Sequence, residues 1–280
     1  MKKIVLFLSV ALLSFGIEAQ VKAPQPSPTS KIEQVIGLTD VSVEYSRPSM
    51  RGRTIFGNLV PYDKLWRTGA NKNTQISFSD DVKVAGTELK KGSYAIFTKP
   101  GKENWEVIFY SDTNNWGTPR KWDDTKVAAK VTVKATTIPI NVETFTIMFS
   151  DFTMDSAVLS LLWSNVEAPV KIEVPSKKMA LESIEKTMAG PSDQDHYQAA
   201  VFYKDIEDYA KAKQHIDKAI AMRKEPAFWY HRQQSLIYAK TGDKDGAIKA
   251  AKTSLELAEK ANNADYVKLN KDSLAEWGAK

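Results

Sequence analysis

From residue 41 the chain alternates: Val41, Val43 and Tyr45 are apolar, and Ser42, Glu44 and Ser46 are polar. A period of two is the mark of a half-buried strand. Short apolar or alternating blocks recur at residues 76–79, 82–84, 92–98, 105–110, 126–135, 144–149, 156–163 and 170–174, divided by Gly, Pro, Asn and Asp. Turns are expected at Ala85-Gly86 and over residues 99–104. The pattern predicts nine or so short antiparallel strands joined by hairpins. With almost no helical stretch among them, they are expected to form an all-β sandwich of the jelly-roll or immunoglobulin-like kind.

The grammar changes at Pro175. Residues 176–189 predict a helix with Met179, Ile184 and Met188 near one face. Beyond residue 195 the chain repeats itself. Tyr203 and Tyr238, Glu207 and Gly242, Ala212 and Ala247, Ile216 and Ala251, and Ala219 and Ser254 each lie 35 residues apart. These units resemble tetratricopeptide repeats, which are helix pairs with a period near 34. The small residues Ala212, Ala219, Ala247 and Ser254 are expected where paired helices approach. Glu207 departs from the pattern, standing where the second unit has a turn glycine, and Pro226 is slightly displaced. Residues 264–277 predict a capping helix. The expected organisation is therefore an N-terminal segment, a Pro-rich linker over 20–30, a β domain over 31–175 and helical repeats over 176–280.

One stretch escapes both periods. Residues 45–71, YSRPSMRGRTIFGNLVPYDKLWRTGAN, hold four of the seven arginines, two prolines and three glycines. Proline fixes φ and glycine permits φ > 0, so this is a long loop. Ile55, Phe56, Leu59, Tyr62, Leu65 and Trp66 argue that it is ordered, and ordered loops of this length are usually functional. Together with GSYAIFTKPG (92–101), WEVIFY (105–110), NWG (115–117) and KIEVP (171–175), it resembles the family called domain of unknown function 2911. The resemblance spans residues 31–175. It implies a small β domain in exported proteins of Gram-negative bacteria, with no known activity and no catalytic residues to carry over.

The first 19 residues, MKKIVLFLSVALLSFGIEA, have a basic start, a short apolar run and a small residue before Gln20. That is the form of a secretory signal peptide and predicts a periplasmic or secreted protein. No later run is long enough to span a membrane. A formal net charge of +5 among 73 charged residues, evenly spread, gives no footing for nucleic acid. There is no cysteine, so neither a lipid anchor on Cys nor a disulfide is expected, and stability must come from core burial.

Histidine is confined to His196, His215 and His231, in the helical part. The β domain therefore offers no Ser-His-Asp or Cys-His nucleophile and no usual zinc ligands. Asp112-Thr-Asn-Asn-Trp-Gly117 begins like a calcium loop, but Trp116 occupies a ligand position, so a conformational Asx turn is expected. No catalytic residue, metal site or cofactor is assigned. His196 and His231 again differ by 35; matching places on helix surfaces account for that without a paired site.

The arginine loop admits two readings. In one, Arg47, Arg51, Arg53, Arg67 and Asn71 take an anionic group, while Tyr62, Trp66 and Trp116 stack on a sugar ring or other flat ligand. In the other, the arginines cap carbonyls and pair with acids such as Asp63 to hold the loop. The second is the default, because a long ordered loop must satisfy its backbone. The expected function is an exported, non-enzymatic ligand- or envelope-binding module whose helical tail contacts a protein partner. The alternative is a hydrolase acting on envelope or glycan substrates through carboxylates and arginines, or with an acquired metal.

Overall fold

The computed structural model describes residues 23–279. The expected signal peptide, residues 1–19, and the first linker residues lie outside the described residues. Among the described residues ten strands precede six α-helices, and a short 3-10 turn at Asp124–Lys126 lies between the seventh and eighth strands. The strands are β1 (Thr29–Ile36), β2 (Thr39–Ser46), β3 (Thr74–Phe78), β4 (Val82–Val84), β5 (Thr87–Leu89), β6 (Gly92–Pro100), β7 (Asn104–Tyr110), β8 (Val127–Lys134), β9 (Thr136–Ser150) and β10 (Ser156–Glu173). They form two antiparallel sheets, of order β1-β2-β3-β6-β7-β8 and β5-β4-β10-β9.

A single apolar cluster draws on both sheets. Val41, Val43, Ile76, Ile96 and Trp105 come from the first, and Phe145, Leu159, Leu161, Trp163 and Ile172 from the second. Alternation puts these side chains on one face of each strand. The central strands β6 and β7 are also covered on their other face, where Ala95, Phe97, Ile108 and Tyr110 pack with Leu65, Trp122 and Val127. Burial on both faces explains why AIF and VIFY read as continuous apolar runs. At Ala85-Gly86 both residues have positive φ, 44° and 83°, the geometry of a tight two-residue hairpin turn.

Three expectations are corrected. Thr29 and Ser30, placed in the linker, open β1, an edge strand absent from the sequence reading. The blocks 156–163 and 170–174 are one strand, β10. It bends through register shifts around Ser164, where φ is 54°, pairing with β9 along its first part and with β4 at its end. Strand β9 begins at Thr136, well before the expected Thr144.

The helices are α1 (Ser176–Thr187), α2 (Asp193–Asp205), α3 (Tyr209–Met222), α4 (Phe228–Lys240), α5 (Lys244–Lys260) and α6 (Ala264–Glu276). Each packs on the next. Both α2 to α4 and α3 to α5 are offset by the 35 residues read from the sequence. The N-caps repeat too: Lys211 N donates to Asp208 at 3.2 Å and Gly246 N to Asp243 at 2.9 Å, each satisfying an otherwise orphaned amide. Ala212, Ala219, Ala247 and Ser254 are all fully buried. Glu207 adopts φ 64° and Gly242 φ 81°, so the substituted turn keeps its left-handed geometry. At the junction, Leu38 N donates to Ser176 Oγ at 3.0 Å and Val174 N to Asp155 O at 2.8 Å.

Candidate functional site

Between β2 and β3 the chain crosses from one sheet to the other and back. Proline and glycine prevent regular structure, so the segment satisfies its backbone by stitching to neighbouring strands. Met50 N donates to Glu143 O at 2.8 Å and Phe145 N to Pro48 O at 2.9 Å, tying one end to β9. Trp66 and Thr98 exchange bonds of 2.8 and 2.9 Å, tying the other end to β6. Trp66 turns inward. It stacks on Trp163 at 5.7 Å and meets Phe145, Trp105 and Phe56 edge-on at 5.2, 6.3 and 6.4 Å. This aromatic floor anchors the segment and supplies its buried area.

The WRTGAN turn is strained. Thr68 and Asn71 have φ of 55° and 56°, and Arg51 has φ 50°. A β-branched residue in the left-handed region costs about 1–3 kcal/mol and persists only when its surroundings hold it. Thr68 is fully buried. Its hydroxyl meets Thr98 Oγ1 at 3.1 Å and its carbonyl accepts from Thr74 Oγ1. Gly69 lies at φ 145°, and an added Cβ would sit 2.9 Å from the Ser46 carbonyl. Only glycine fits there.

Above this floor opens a cavity of about 480 Å³, lined by Arg51, Arg53, Arg67, Trp66, Asn71 and Trp163 among others. The guanidiniums also hold the backbone. Arg53 donates to the carbonyls of Met50 (2.9 Å) and Ser49 (2.7 Å), Arg51 to Pro26 (3.0 Å), and Arg67 to Asn71 (3.0 Å). Each has donors left over. Among the described residues the arginine that forms an ion pair is Arg223, with Asp193; none of the loop arginines pairs with a carboxylate. The expected partner Asp63 makes no ion pair among the described residues; its carboxylate lies near Gly101, and its main-chain amide donates to Pro100 O at 2.8 Å. The Glu143 carboxylate accepts from the Arg51 main-chain amide at 2.8 Å. The amides of Gly69, Ala70 and Asn71 donate to no acceptor among the described residues. Three guanidiniums without an ion pair, lining one cavity, favour a negative charge.

The structure thus brings Arg51, Arg53, Trp66, Arg67 and Asn71 together. Arg47 does not line the cavity; it donates to Phe145 O at 3.1 Å and Thr146 Oγ1 at 2.8 Å. Nor does Tyr62, whose ring packs against Gly57. Trp116 stands in solvent, 78% exposed, next to Gly117, and a Cβ there would lie 3.2 Å from Arg67 Nη1. Sequence reasoning missed Trp163, Ser49, Pro26 and Ser27. The last two belong to the Pro-rich arm, which lies across the site: Asn71 Nδ2 donates to Ser27 O at 3.2 Å.

The calcium-like segment is an Asx turn, with Asn114 N donating to Asp112 Oδ1 at 3.2 Å. The bond from Lys126 holds the Asp112 carboxyl below its usual range. Among the described residues no three His, Cys, Asp or Glu side chains are grouped to hold a metal. His196 and His231 hold matching repeat positions, but the ring that His196 meets is His215, Nδ1 to Nδ1 at 2.9 Å. Burial is the first cause lowering both pKa values, with Lys218 adding to each.

A family model described as "Protein of unknown function (DUF2911)" matches residues 27–172, just over half of the chain, from the arm to the end of the strands. No curated protein and no solved structure matches. The chain belongs to that family, and the matched span contains every residue lining the cavity except Pro26.

Proposed function

We propose that this member of the family is an exported, non-enzymatic binding module whose β region takes an anionic ligand in the arginine-lined cavity. The observation that carries the reading is the set of guanidiniums of Arg51, Arg53 and Arg67 around one cavity with no carboxylate partner. A loop built only for architecture gains nothing from leaving three positive charges unneutralised, since their mutual repulsion works against the compact state. Here each guanidinium is fixed by a carbonyl and keeps donors free, which is preorganisation for a carboxylate, sulfate or phosphate group.

The two sheets are read as a β-sandwich of the jelly-roll or immunoglobulin-like kind. The helices are read as two tetratricopeptide-like pairs with a cap, presenting a surface to a protein partner. The basic-apolar start of the sequence directs the chain to the periplasm or medium. The test is binding of simple anions at constant ionic strength. Sulfate and citrate should raise the melting temperature of the mature chain in a saturable way, as expected for a ligand of the native state. Chloride at matched ionic strength should not. Equal melting curves in all three salts, with no heat in calorimetric titration, would refute the reading.

A further inference from the structure

Two tryptophans of the loop between β7 and β8 are treated differently. Trp122 packs on Phe97 and Tyr110 at 5.5 and 4.5 Å. Trp116 projects into water at 78% exposure. The exposure is not that of a slack loop. Thr113 O accepts from Gln75 Nε2 at 2.7 Å, Asn115 O from Asn73 N at 3.1 Å, and Asp112 pairs with Lys126 at 2.8 Å. The segment is pinned immediately before an indole that it leaves uncovered. Gly117, with φ 94°, lets the backbone come down on the Arg67 guanidinium. One exposed aromatic means little alone. This one adjoins Gly117, whose backbone lies against Arg67, a residue of the cavity lining.

We infer that the ligand is an acidic saccharide, with its carboxylate among Arg51, Arg53 and Arg67 and an adjoining pyranose ring stacked on Trp116; the inference rests on the anion-binding reading above. A pyranose has a flat face of C–H groups and a rim of hydroxyls. The face suits an exposed indole, which offers large rigid area at low entropic cost. The hydroxyls suit the amides of Ala70 and Asn71, two lining residues whose N–H groups donate to no acceptor among the described residues. A simple metabolite anion would have no use for Trp116, and an acyl chain would meet a polar rim.

Trp116→Ala removes an exposed side chain, so the fold is expected to survive. The mature chain and the variants Trp116→Ala and Arg67→Ala should be titrated calorimetrically with trigalacturonate, maltotriose, adenosine monophosphate and inorganic sulfate. Trigalacturonate should bind at least tenfold more tightly than sulfate. Trp116→Ala should weaken trigalacturonate about tenfold and leave sulfate unchanged, while Arg67→Ala should weaken both. Maltotriose should bind far more weakly than trigalacturonate. The inference is overturned if Trp116→Ala leaves trigalacturonate affinity unchanged, if maltotriose binds equally well, or if the nucleotide is preferred. In those cases sulfate binding that depends on Arg67 keeps the anion reading alone. If sulfate and trigalacturonate both fail to bind, both readings fall.

Discussion

Arg67→Ala separates the structural from the binding part of the cavity. In the folded chain the half-buried guanidinium makes one bond, Nη1 to Asn71 O at 3.0 Å, and rests against Gly117. A bond to a charged group contributes about 1.5–3 kcal/mol. Asn71 is itself only half buried, so water can replace the lost donor and the net loss falls to about 1 kcal/mol. Removing one of three unpaired cations relieves repulsion, offsetting about 0.2–0.5 kcal/mol at physiological ionic strength. The inward Trp66, which carries the buried area, is untouched. The expected destabilisation is therefore about 0.5–1 kcal/mol in urea denaturation followed by tryptophan fluorescence, with an unchanged m-value. For an anion seated in the cavity, loss of a charge-assisted contact of about 1.5–3 kcal/mol lowers affinity roughly 10- to 100-fold. Sulfate titration measures it. Arg67→Lys keeps the charge without the planar fork, so it should recover part of the affinity and little of the specificity. A stability loss above about 3 kcal/mol would mean that the guanidinium holds the loop together, contrary to the geometry. Unchanged sulfate affinity would remove Arg67 from the site.

Gly69→Ala should destabilise the β region by about 2–4 kcal/mol and abolish sulfate binding, because φ 145° and the 2.9 Å approach to Ser46 O exclude a Cβ; a wild-type urea midpoint would contradict this. In the helices, Glu207→Gly should stabilise by about 0.5–1 kcal/mol, relief of the left-handed backbone outweighing the greater freedom of unfolded glycine. The mirror change Gly242→Ala should destabilise by about 1 kcal/mol through φ alone, since nothing lies within 4 Å of the added methyl; paired thermal melts of the two variants test both signs. The histidine pair makes helical stability pH-dependent. His196 and His215 have folded pKa values below the ordinary 6.5, so the unfolded chain binds protons more readily. Their contribution is fully present above about pH 6.5 and is lost as pH falls through the folded values. A second protonation also removes the acceptor of the Nδ1–Nδ1 bond. Beyond burial, His196, Lys218 and Lys211 oppose protonation of His215; for His196, Lys218 opposes it and Asp195 favours it. Helical ellipticity melts of His215→Leu should show a flatter pH dependence between pH 7.5 and 5 than wild type, and an identical slope would refute the account.

Much of this molecule is written locally. Strands with one buried face announce themselves by alternation, as at Val41, Val43 and Tyr45. The 35-residue period located both helix pairs and their small buried contacts, because each repeat is a local unit packed on its neighbour. That residues 45–71 form an ordered loop followed from proline, glycine and aromatic content alone. What composition could not decide was long-range. Strand β1 lies at a sheet edge and buries little, so TSKIEQVI carries no clean period. Strand β10 reads as two because its bulge at Ser164 and its polar, Pro-bearing middle imitate a loop, and only pairing to β9 and then β4 makes it continuous. The arginines were visible as residues, but their division of labour was not. Arg47 is bound by β9, 98 residues away, while Arg51, Arg53 and Arg67 face a cavity whose other walls, Trp163 and the Pro26–Ser27 arm, come from distant parts of the chain. His196 meets His215 rather than its repeat mate because two antiparallel helices set that contact, not the repeat period. Local periodicity is dictated by the geometry of a single element; a site assembled across sheets exists only once those elements have packed.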